Sequence, residues 1–324
     1  MPKPSPLAAA ALAAVAALVL TACGGGSDAT TSPTPDGALP TVTGGFGEVP
    51  EITVPDTDPP ADLQTVVLEE GDGPEVVAEQ LLVVDYAGVT WDGGESFDSS
   101  FDRGQPAAFP IGVGAVIPGW DSGLVGQTIG SRVLLVIPPD LAYGDNPPTG
   151  SPITAGATLV FVVDILAQHA GDDSAAGEAT PIEDDGVPVL TVPPGEPELK
   201  IPPGKAPPKI LAESVVTGDG PVVEAGQLLV VQYVGKVWRT GKTFDSSWRR
   251  GQPAGFAIGV GGVIPGWDSG LVGKTVGSRV LLVLPPDQAY GDNPPPNSGI
   301  QPGDTLVFGV DILGAYGAPS GEQP

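Results

Sequence analysis

Histidine, cysteine and methionine are almost missing from this chain, whose 324 residues include one of each. Because the single His stands in a polar linker and the single Cys near the N-terminus, we predict no Ser-His-Asp or Cys-His arrangement and no His/Cys metal site, and we expect no cofactor. No disulfide can form within one chain, so packing alone must hold the fold. His169 stands at the start of a polar linker, without the neighbours that would make it a catalytic base or a metal ligand. A glycine pair at Gly112 and Gly114 has neither the third glycine nor the Lys of a phosphate loop.

Positive charge is scarce as well. The chain has 13 Lys and Arg against 39 Asp and Glu, a net charge of −26, which argues against a nucleic-acid partner because such a partner needs clustered bases. Residues 50–167 hold 18 acids and 2 bases, whereas residues 197–314 hold 10 of each. The two bases of the first stretch, Arg103 and Arg132, recur as Arg250 and Arg279, and this recurrence predicts internal ion pairs.

The first 22 residues have the layout of an export signal, with Lys3 followed by an apolar run from Leu7 to Leu20. That run is short for a membrane span. The sequence Leu20-Thr21-Ala22-Cys23 resembles a bacterial lipobox. We therefore predict that Cys23 is lipidated and that the chain is extracytoplasmic, anchored by lipid to the cell membrane. An ordinary cleaved signal with a chance cysteine is the alternative.

The dominant feature of the sequence is a repeat: the segment 50–167 returns 147 positions later without a gap. About 70% of the paired positions from Gly71 onward are identical, and the unit is the size of a domain and not of a solenoid repeat. Segments rich in Gly, Ser, Pro and acidic residues have too few apolar side chains to form a core, and we predict that they are spacers. The predicted organisation is a signal peptide over 1–22, a flexible tether over 23–49, a first domain over 50–167, an acidic Pro/Gly linker over 168–196 and a second domain over 197–316.

Within one repeat the pattern predicts mostly antiparallel strands. Apolar runs over Leu81–Tyr86, Arg132–Ile137 and Thr158–Leu166 are bounded by Gly and Pro. The segment from Pro118 to Gly126 is the only helix that the pattern supports, with Trp120 and Leu124 on one face. Alternation at Ile52 and Val54, and again at Leu199 and Ile201, predicts an extra edge strand at the start of each domain. The expected fold class is α+β, a curved antiparallel sheet wrapped around one short helix in each of two domains.

Aromatic residues recur at the repeat spacing, among them Tyr86, Phe97, Phe109, Trp120, Tyr143 and Phe161 of the first repeat, and a plain aromatic core is the simplest interpretation of any one of them. The surrounding motifs are more specific: Phe97-Asp98-Ser99-Ser100 with Arg103, Val116-Ile117-Pro118-Gly119-Trp120, Ala142-Tyr143-Gly144 and Thr158-Leu159-Val160-Phe161. On these motifs each repeat resembles an FKBP-type peptidyl-prolyl cis–trans isomerase domain, along nearly its whole length.

The resemblance implies a shallow apolar pocket in each domain. In the first it is lined by Tyr86, Phe97, Asp98, Arg103, Phe109, Val116, Ile117, Trp120, Tyr143 and Phe161. In the second the same roles fall to Tyr233, Phe244, Asp245, Arg250, Phe256, Val263, Ile264, Trp267, Tyr290 and Phe308. By the resemblance Trp120 forms the floor, the Tyr143 hydroxyl and the Ile117 N–H hold the carbonyls beside the proline, and Asp98 pairs with Arg103 and faces the reacting amide. Ala107 and Ala254 replace a common aromatic, so one wall is expected to be more open.

The activity implied by the resemblance is isomerisation of X–Pro bonds in exported proteins, with no covalent step. A module or chaperone that holds proline-containing segments with little turnover is an alternative, and a purely structural lipoprotein is a third. The expected partners are proline-containing polypeptides and the macrolides tacrolimus or rapamycin, with the membrane reached through the lipid anchor. We expect a monomer.

Overall fold

The computed structural model describes residues 38–318 apart from 181, 183–185 and 193. The predicted signal peptide and Cys23 lie outside these residues. In the part that is described, no helix is long and apolar enough to cross a membrane.

The elements of the two repeats follow the same order. The first comprises β1 (Thr41–Thr43), β2 (Glu51–Thr53), β3 (Gln64–Glu69), β4 (Leu81–Thr90), β5 (Ser96–Ser99), α1 (Ser100–Arg103), β6 (Ala107–Pro110), α2 (Pro118–Leu124), β7 (Arg132–Ile137), a 3-10 turn (Pro139–Leu141) and β8 (Leu159–His169). The linker and second repeat comprise β9 (Glu178–Ala179), β10 (Val189–Leu190), β11 (Leu199–Lys200), β12 (Leu211–Thr217), β13 (Leu228–Val237), β14 (Thr243–Ser246), α3 (Ser247–Arg250), β15 (Ala254–Ala257), α4 (Pro265–Leu271), β16 (Arg279–Leu284), a 3-10 turn (Pro286–Gln288) and β17 (Leu306–Tyr316).

Each repeat is one antiparallel sheet wrapped on a short helix, so the predicted α+β class is confirmed. The strand order is β3-β7-β8-β4-β5, with β6 also paired to β4, and the second sheet runs β14-β13-β17-β16-β12-β9, with β15 paired to β13. Helix α2 begins at Pro118, where proline costs no hydrogen bond, and Trp120 and Leu124 are buried against the sheet as predicted. Gly119 lets the helix lie close, because a Cβ there would overlap the side chain of Ile137.

Helix α1 was not foreseen, since the motif at Pro118 was the only helix that the sequence pattern supported. It is a single turn, too short for a hydrophobic period. Its ends carry the usual signals: the Ser99 side chain accepts from the Asp102 N–H, and Gly104 closes the turn with a φ of 65°.

The sheet of the first repeat is buried on both faces, which explains why β7 reads as an unbroken apolar run. One face packs on α2. The other is covered by the β1–β2 hairpin, whose Val42 and Ile52 lie against Leu134, Val136 and Val160. The extra strand predicted around Ile52 therefore exists as β2, but it pairs with β1 and not with the edge of the main sheet.

The same hairpin shifts the domain start that we predicted at residue 50. Strand β1 lies inside the segment assigned to the tether, and its loop is held by the buried guanidinium of Arg132, which donates to Gly44 O (2.7 Å) and Glu48 O (2.6 Å). The Gly47 N–H donates to Asp164 (2.7 Å). Residues 41–49 therefore belong structurally to the first repeat.

The linker predicted over 168–196 is likewise partly structured. Strand β8 runs to His169, β9 pairs with β12, and β10 pairs with β11 as the counterpart of the first hairpin. The buried Arg279 donates to Thr191 O (2.9 Å) and Gly195 O (3.0 Å), as Arg132 does in the first repeat. The physical cause is the same in both places: a buried guanidinium needs acceptors, and loop carbonyls supply them.

Candidate functional site

An aromatic cup lies between the sheet and α2 in each repeat. Trp120, 4% exposed, is its base. The indole stands nearly perpendicular to three rings, with centroid distances of 5.3 Å to Tyr86, 5.6 Å to Phe109 and 5.3 Å to Phe161. Such edge-to-face packing fixes the rings and leaves an apolar floor.

Four different strands and one helix bring these rings together. Tyr86 lies on β4, Phe97 on β5, Phe109 on β6 and Phe161 on β8, while Trp120 lies on α2. Gly88 on β4 makes the close approach possible, because a Cβ there would fall 2.6 Å from the Phe97 ring.

A polar triad occupies one side of the cup. The Tyr86 hydroxyl donates to Asp98, Arg103 pairs with Asp98, and Arg103 Nη2 donates to the Tyr86 oxygen (3.0 Å). Helix α1 turns the chain so that Arg103 returns to a carboxylate five residues earlier. Burial, followed by the hydrogen bond to Asp98, raises the pKa of Tyr86 to about 12. The triad therefore orients the Asp98 carboxylate and keeps the phenol protonated.

The rim carries two donors that are not engaged. Within the described residues, neither the Ile117 N–H nor the Tyr143 hydroxyl makes a hydrogen bond. Burial, and then the charge of Asp98, raises the pKa of Tyr143, so this hydroxyl stays a donor at neutral pH. Asp121 on α2 holds the loop before Ile117 by accepting from the N–H groups of Gly112 (2.6 Å) and Gly114 (2.7 Å).

These groups enclose a cavity of about 390 Å³ in the first repeat. Of the ten residues predicted for this site, nine line the cavity, and Arg103 stands behind Asp98 and Tyr86. Four lining residues were missed: Ala115, Pro148, Ser151 and Ile153. The last three are identical in the second repeat, and that identity within an otherwise divergent loop was a usable signal.

The second repeat holds the corresponding cavity. Its lining includes Tyr233, Phe244, Asp245, Phe256, Val263, Ile264, Trp267, Tyr290 and Phe308, together with Gly262 and Pro265. Arg250 again stands behind, with its Nη2 donating to the Tyr233 oxygen (2.9 Å), and Tyr233 also donates to Asp245. Burial, then the bond to Asp245, raises the pKa of Tyr233 to about 12. This cavity is larger, about 610 Å³.

Ala107 and Ala254, where a more open wall was expected, do not line either cavity. Both are half-buried and pack against the core clusters. The predicted ion pairs of the first repeat are confirmed, but they serve different places: Arg103 meets Asp98 beside the cavity, and Arg132 meets Asp164 on the far side of the sheet. Over the described ranges, no group of three or more His, Cys, Asp or Glu side chains is arranged to hold a metal ion.

Both repeats are similar to known proteins. Residues 73–166 and 220–313 each match the family described as FKBP-type peptidyl-prolyl cis-trans isomerase. An FK506-binding protein of Streptomyces anulatus is 48% identical over 120 residues, which are 37% of this chain and 97% of that protein. Peptidyl-prolyl cis-trans isomerase FKBP9 of Homo sapiens is 32% identical over 229 residues, 70% of this chain and 33% of that protein, so this chain matches about a third of the human protein's length. The crystal structure of FkpA from Escherichia coli is 41% identical, with a TM-score of 0.30, over 33% of this chain and 47% of that one.

Proposed function

This chain belongs to the FKBP-type peptidyl-prolyl cis–trans isomerase family, with two such domains in tandem, and we propose that both cavities isomerise X–Pro bonds of exported proteins. The observation that carries the proposal is that each repeat pairs an apolar aromatic floor with two rim donors that make no hydrogen bond within the described residues. These donors are the Ile117 N–H and Tyr143 hydroxyl in the first repeat and the Ile264 N–H and Tyr290 hydroxyl in the second. The family binds proline-containing peptides and macrolides such as FK506. We therefore infer that a proline ring binds on that floor.

The chemistry needs no covalent step. Resonance gives the X–Pro C–N bond partial double character, and rotation crosses a barrier of about 18–20 kcal/mol. The planar, charge-separated amide is favoured by water. A cavity that removes water and fits the twisted amide better than either planar isomer lowers the barrier by differential transition-state binding.

Each group at the site then has a distinct proposed task. The proline ring lies on Trp120, and the Ile117 N–H and Tyr143 hydroxyl donate to the two flanking carbonyls. Asp98, oriented by Tyr86 and Arg103, faces the reacting amide, where its negative charge favours the electron-poor, ketone-like carbonyl carbon of the twisted state. The second domain uses Trp267, Ile264, Tyr290 and Asp245 in the same way.

Single-site variants of the whole chain test this proposal. Asp98→Ala leaves the second site intact and Asp245→Ala leaves the first. The isomerisation rate is measured with a proline peptide in a protease-coupled assay. Each single variant should lose the part of the rate that its own site contributes, and the rate of the double variant should fall about a hundredfold. A wild-type rate equal to buffer would overturn the proposal. If peptides bind without faster cis–trans exchange in magnetisation-transfer NMR, the chain is instead a module that holds proline segments.

The cellular position is also proposed, on the N-terminal sequence alone. We propose that Cys23 carries lipid and holds the domains outside the cytoplasm at the cell membrane, where unfolded exported chains pass. The chain should partition with membranes, and Cys23→Ser should release it. Equal partitioning of the two forms would rule out the lipid anchor while leaving the isomerase proposal intact.

We further propose that the chain works as a monomer and that each site takes a macrolide in place of the proline ring. Titration with tacrolimus should inhibit both Asp98→Ala and Asp245→Ala, because each retains one complete site. Sedimentation of the chain should give one mass, near 32.5 kDa for the unprocessed sequence.

A further inference from the structure

The two sites share their aromatic floor but differ in one wall. In the first domain the loop that follows Tyr143 contributes Pro148, Ser151 and Ile153 to the cavity lining. In the second, no residue of the corresponding loop, 292–303, lines the cavity. The volumes differ accordingly, about 390 Å³ against 610 Å³.

A backbone difference within this loop accompanies the change. Gly299 has a φ of +77°, a conformation that favours glycine. Its counterpart is Pro152, whose ring fixes φ near −65°. The backbone therefore differs at this residue, whereas the preceding residue makes the same contact in both loops: the Ser151 N–H donates to Pro148 O (3.2 Å) and the Ser298 N–H to Pro295 O (3.4 Å).

The two loops also differ in one side-chain hydrogen bond. The Ser298 hydroxyl donates to Pro295 O (2.7 Å) and is thereby tied to its own loop. Ser151 makes no such bond among the described residues, and it lines the cavity. In both loops the serine oxygen also accepts from the isoleucine N–H two residues later, at 3.2 Å from Ile153 and 3.3 Å from Ile300.

A second wall position also becomes glycine in the second site. Ala115 lines the first cavity, and Gly262 occupies the equivalent place in the second. The loss of this methyl group widens the wall just before the rim donor, Ile264. Both changes enlarge the same site, and the aromatic residues of the two floors are identical.

We infer that the two sites differ in the X–Pro bonds that they isomerise, according to the size of residue X. The first site isomerises bonds in which X is small, and the second also accepts bonds in which X is aromatic. This inference rests on the isomerase function proposed above. Residue X is the one that matters because, with the proline ring held on the tryptophan, rotation about the C–N bond sweeps X across the wall. A closer wall penalises a large side chain in the twisted state more than a small one.

The test uses the whole chain with one site silenced at a time. Asp245→Ala reports the first site and Asp98→Ala the second, each assayed with peptides carrying Ala-Pro or Phe-Pro. We expect the ratio of kcat/KM for Phe-Pro over Ala-Pro to be about tenfold higher for the second site, the scale on which pockets discriminate small differences in apolar volume.

Exchanged walls provide the matched controls. In the Asp245→Ala background, Ala115→Gly combined with Thr149→Pro, Gly150→Asn and Pro152→Gly should raise the ratio towards that of the second site. In the Asp98→Ala background, Gly262→Ala alone should lower it; the added Cβ would lie 3.1 Å from Ala257 O, so a small shift accommodates it. Thermal unfolding of each variant identifies any that fail to fold, and the single change at Gly262 remains informative if the loop graft does.

The outcomes are distinguishable. Equal Phe-Pro to Ala-Pro ratios at two active sites would overturn size selection and leave the proposed function standing. Absence of acceleration at both sites, for both peptides, would overturn the proposed function itself.

Discussion

At the scale of single residues, the two tyrosines of each cavity have opposite environments. Tyr86 is buried, and its hydroxyl forms hydrogen bonds with Asp98 and Arg103. Tyr143 is 37% exposed, and its hydroxyl makes no hydrogen bond within the described chain. One phenol therefore positions a carboxylate, and the other is available to a substrate.

Removing the available hydroxyl should remove one hydrogen bond to a substrate carbonyl. With the second site silenced by Asp245→Ala, Tyr143→Phe should lower kcat/KM by about three- to tenfold, the worth of one net hydrogen bond. Tyr290→Phe in the same background is the control and should change nothing, since its own site is already silent. A Tyr143→Phe rate equal to that of its parent would remove this tyrosine from the proposed mechanism.

The buried tyrosines should make the fold sensitive to alkali. Burial is the first cause that raises the pKa of Tyr86 and Tyr233 to about 12, so the folded phenols keep protons that the unfolded chain begins to lose near pH 10. Their stabilising contribution is complete below pH 10 and is lost as the pH rises towards 12. The free energy of unfolding, measured in denaturant from pH 8 to 12, should fall over that range. Tyr86→Phe with Tyr233→Phe should flatten the fall, and an unchanged slope would contradict this account.

At the scale of elements, the β1–β2 hairpin does two things for the first domain. It covers the outer face of the sheet, and its loop carbonyls accept hydrogen bonds from the 1% exposed Arg132, which pairs with Asp164 at 2.6 Å. A buried ion pair stabilises a fold only when its remaining donors and acceptors are satisfied.

The contribution of the β1–β2 hairpin to stability can be measured with shortened chains. Deleting residues 1–49 removes the acceptors at Gly44 and Glu48 and exposes the apolar face under Val42. Hydrogen bonds to charged groups contribute about 1.5–3 kcal/mol each, so the free energy of unfolding of the first domain should fall by about 3 kcal/mol or more. Deleting only residues 1–37 keeps every one of these contacts and is the control. Equal denaturation midpoints for the two shortened chains would show that the hairpin is dispensable.

At the scale of the whole molecule, the repeats meet through the same face of each. Leu81 and Val83 pack with Leu228 and Val230, which are their own counterparts at the 147-residue spacing. Such an isologous contact is typical of two-fold dimers, here formed within one chain. Because a separated repeat would expose this apolar face, the activity tests above use the whole chain.

Two counterparts at the edge of this contact are a histidine and a tyrosine. His169 Nε2 lies 2.7 Å from the Tyr316 hydroxyl, and its Nδ1 lies 3.5 Å from Asp173. Burial lowers the pKa of His169, although the charge of Asp173 acts in the opposite direction. The neutral imidazole is therefore the form that suits the contact.

Acid should consequently weaken the contact between repeats. The unfolded chain takes up this proton near pH 6.5 and the folded chain only at lower pH, so stability is full above pH 6.5 and falls as the pH drops below it. The unfolding midpoint should decrease between pH 7.5 and 5.5, and His169→Gln should show a smaller decrease. If both proteins lose stability equally, carboxylates alone account for the acid sensitivity.

Much of each domain was predictable because the information is local. Strand β7 has the predicted bounds, Arg132–Ile137, since Gly, Ser and Pro border an unbroken apolar run. Trp120 and Leu124 lie on the predicted face of α2 because a spacing of four residues determines a helix face. The nine predicted residues that line the first cavity were implied by the family resemblance, which rests on motifs that recur at one offset.

By itself, then, the sequence determined the duplication, the α+β class, the family resemblance and the residues of the aromatic floor. Only the tertiary structure decided that residues 41–43 form a strand, that the repeats share one face, and that the two cavities differ in volume. These features depend on contacts between segments that are distant in the sequence. Residues 41–49 have the polar, Gly- and Thr-rich composition of a tether, but their backbone carbonyls accept hydrogen bonds from the distant Arg132. The φ of +77° at Gly299, in the loop that follows Tyr290, is likewise a conformation that no local pattern specifies.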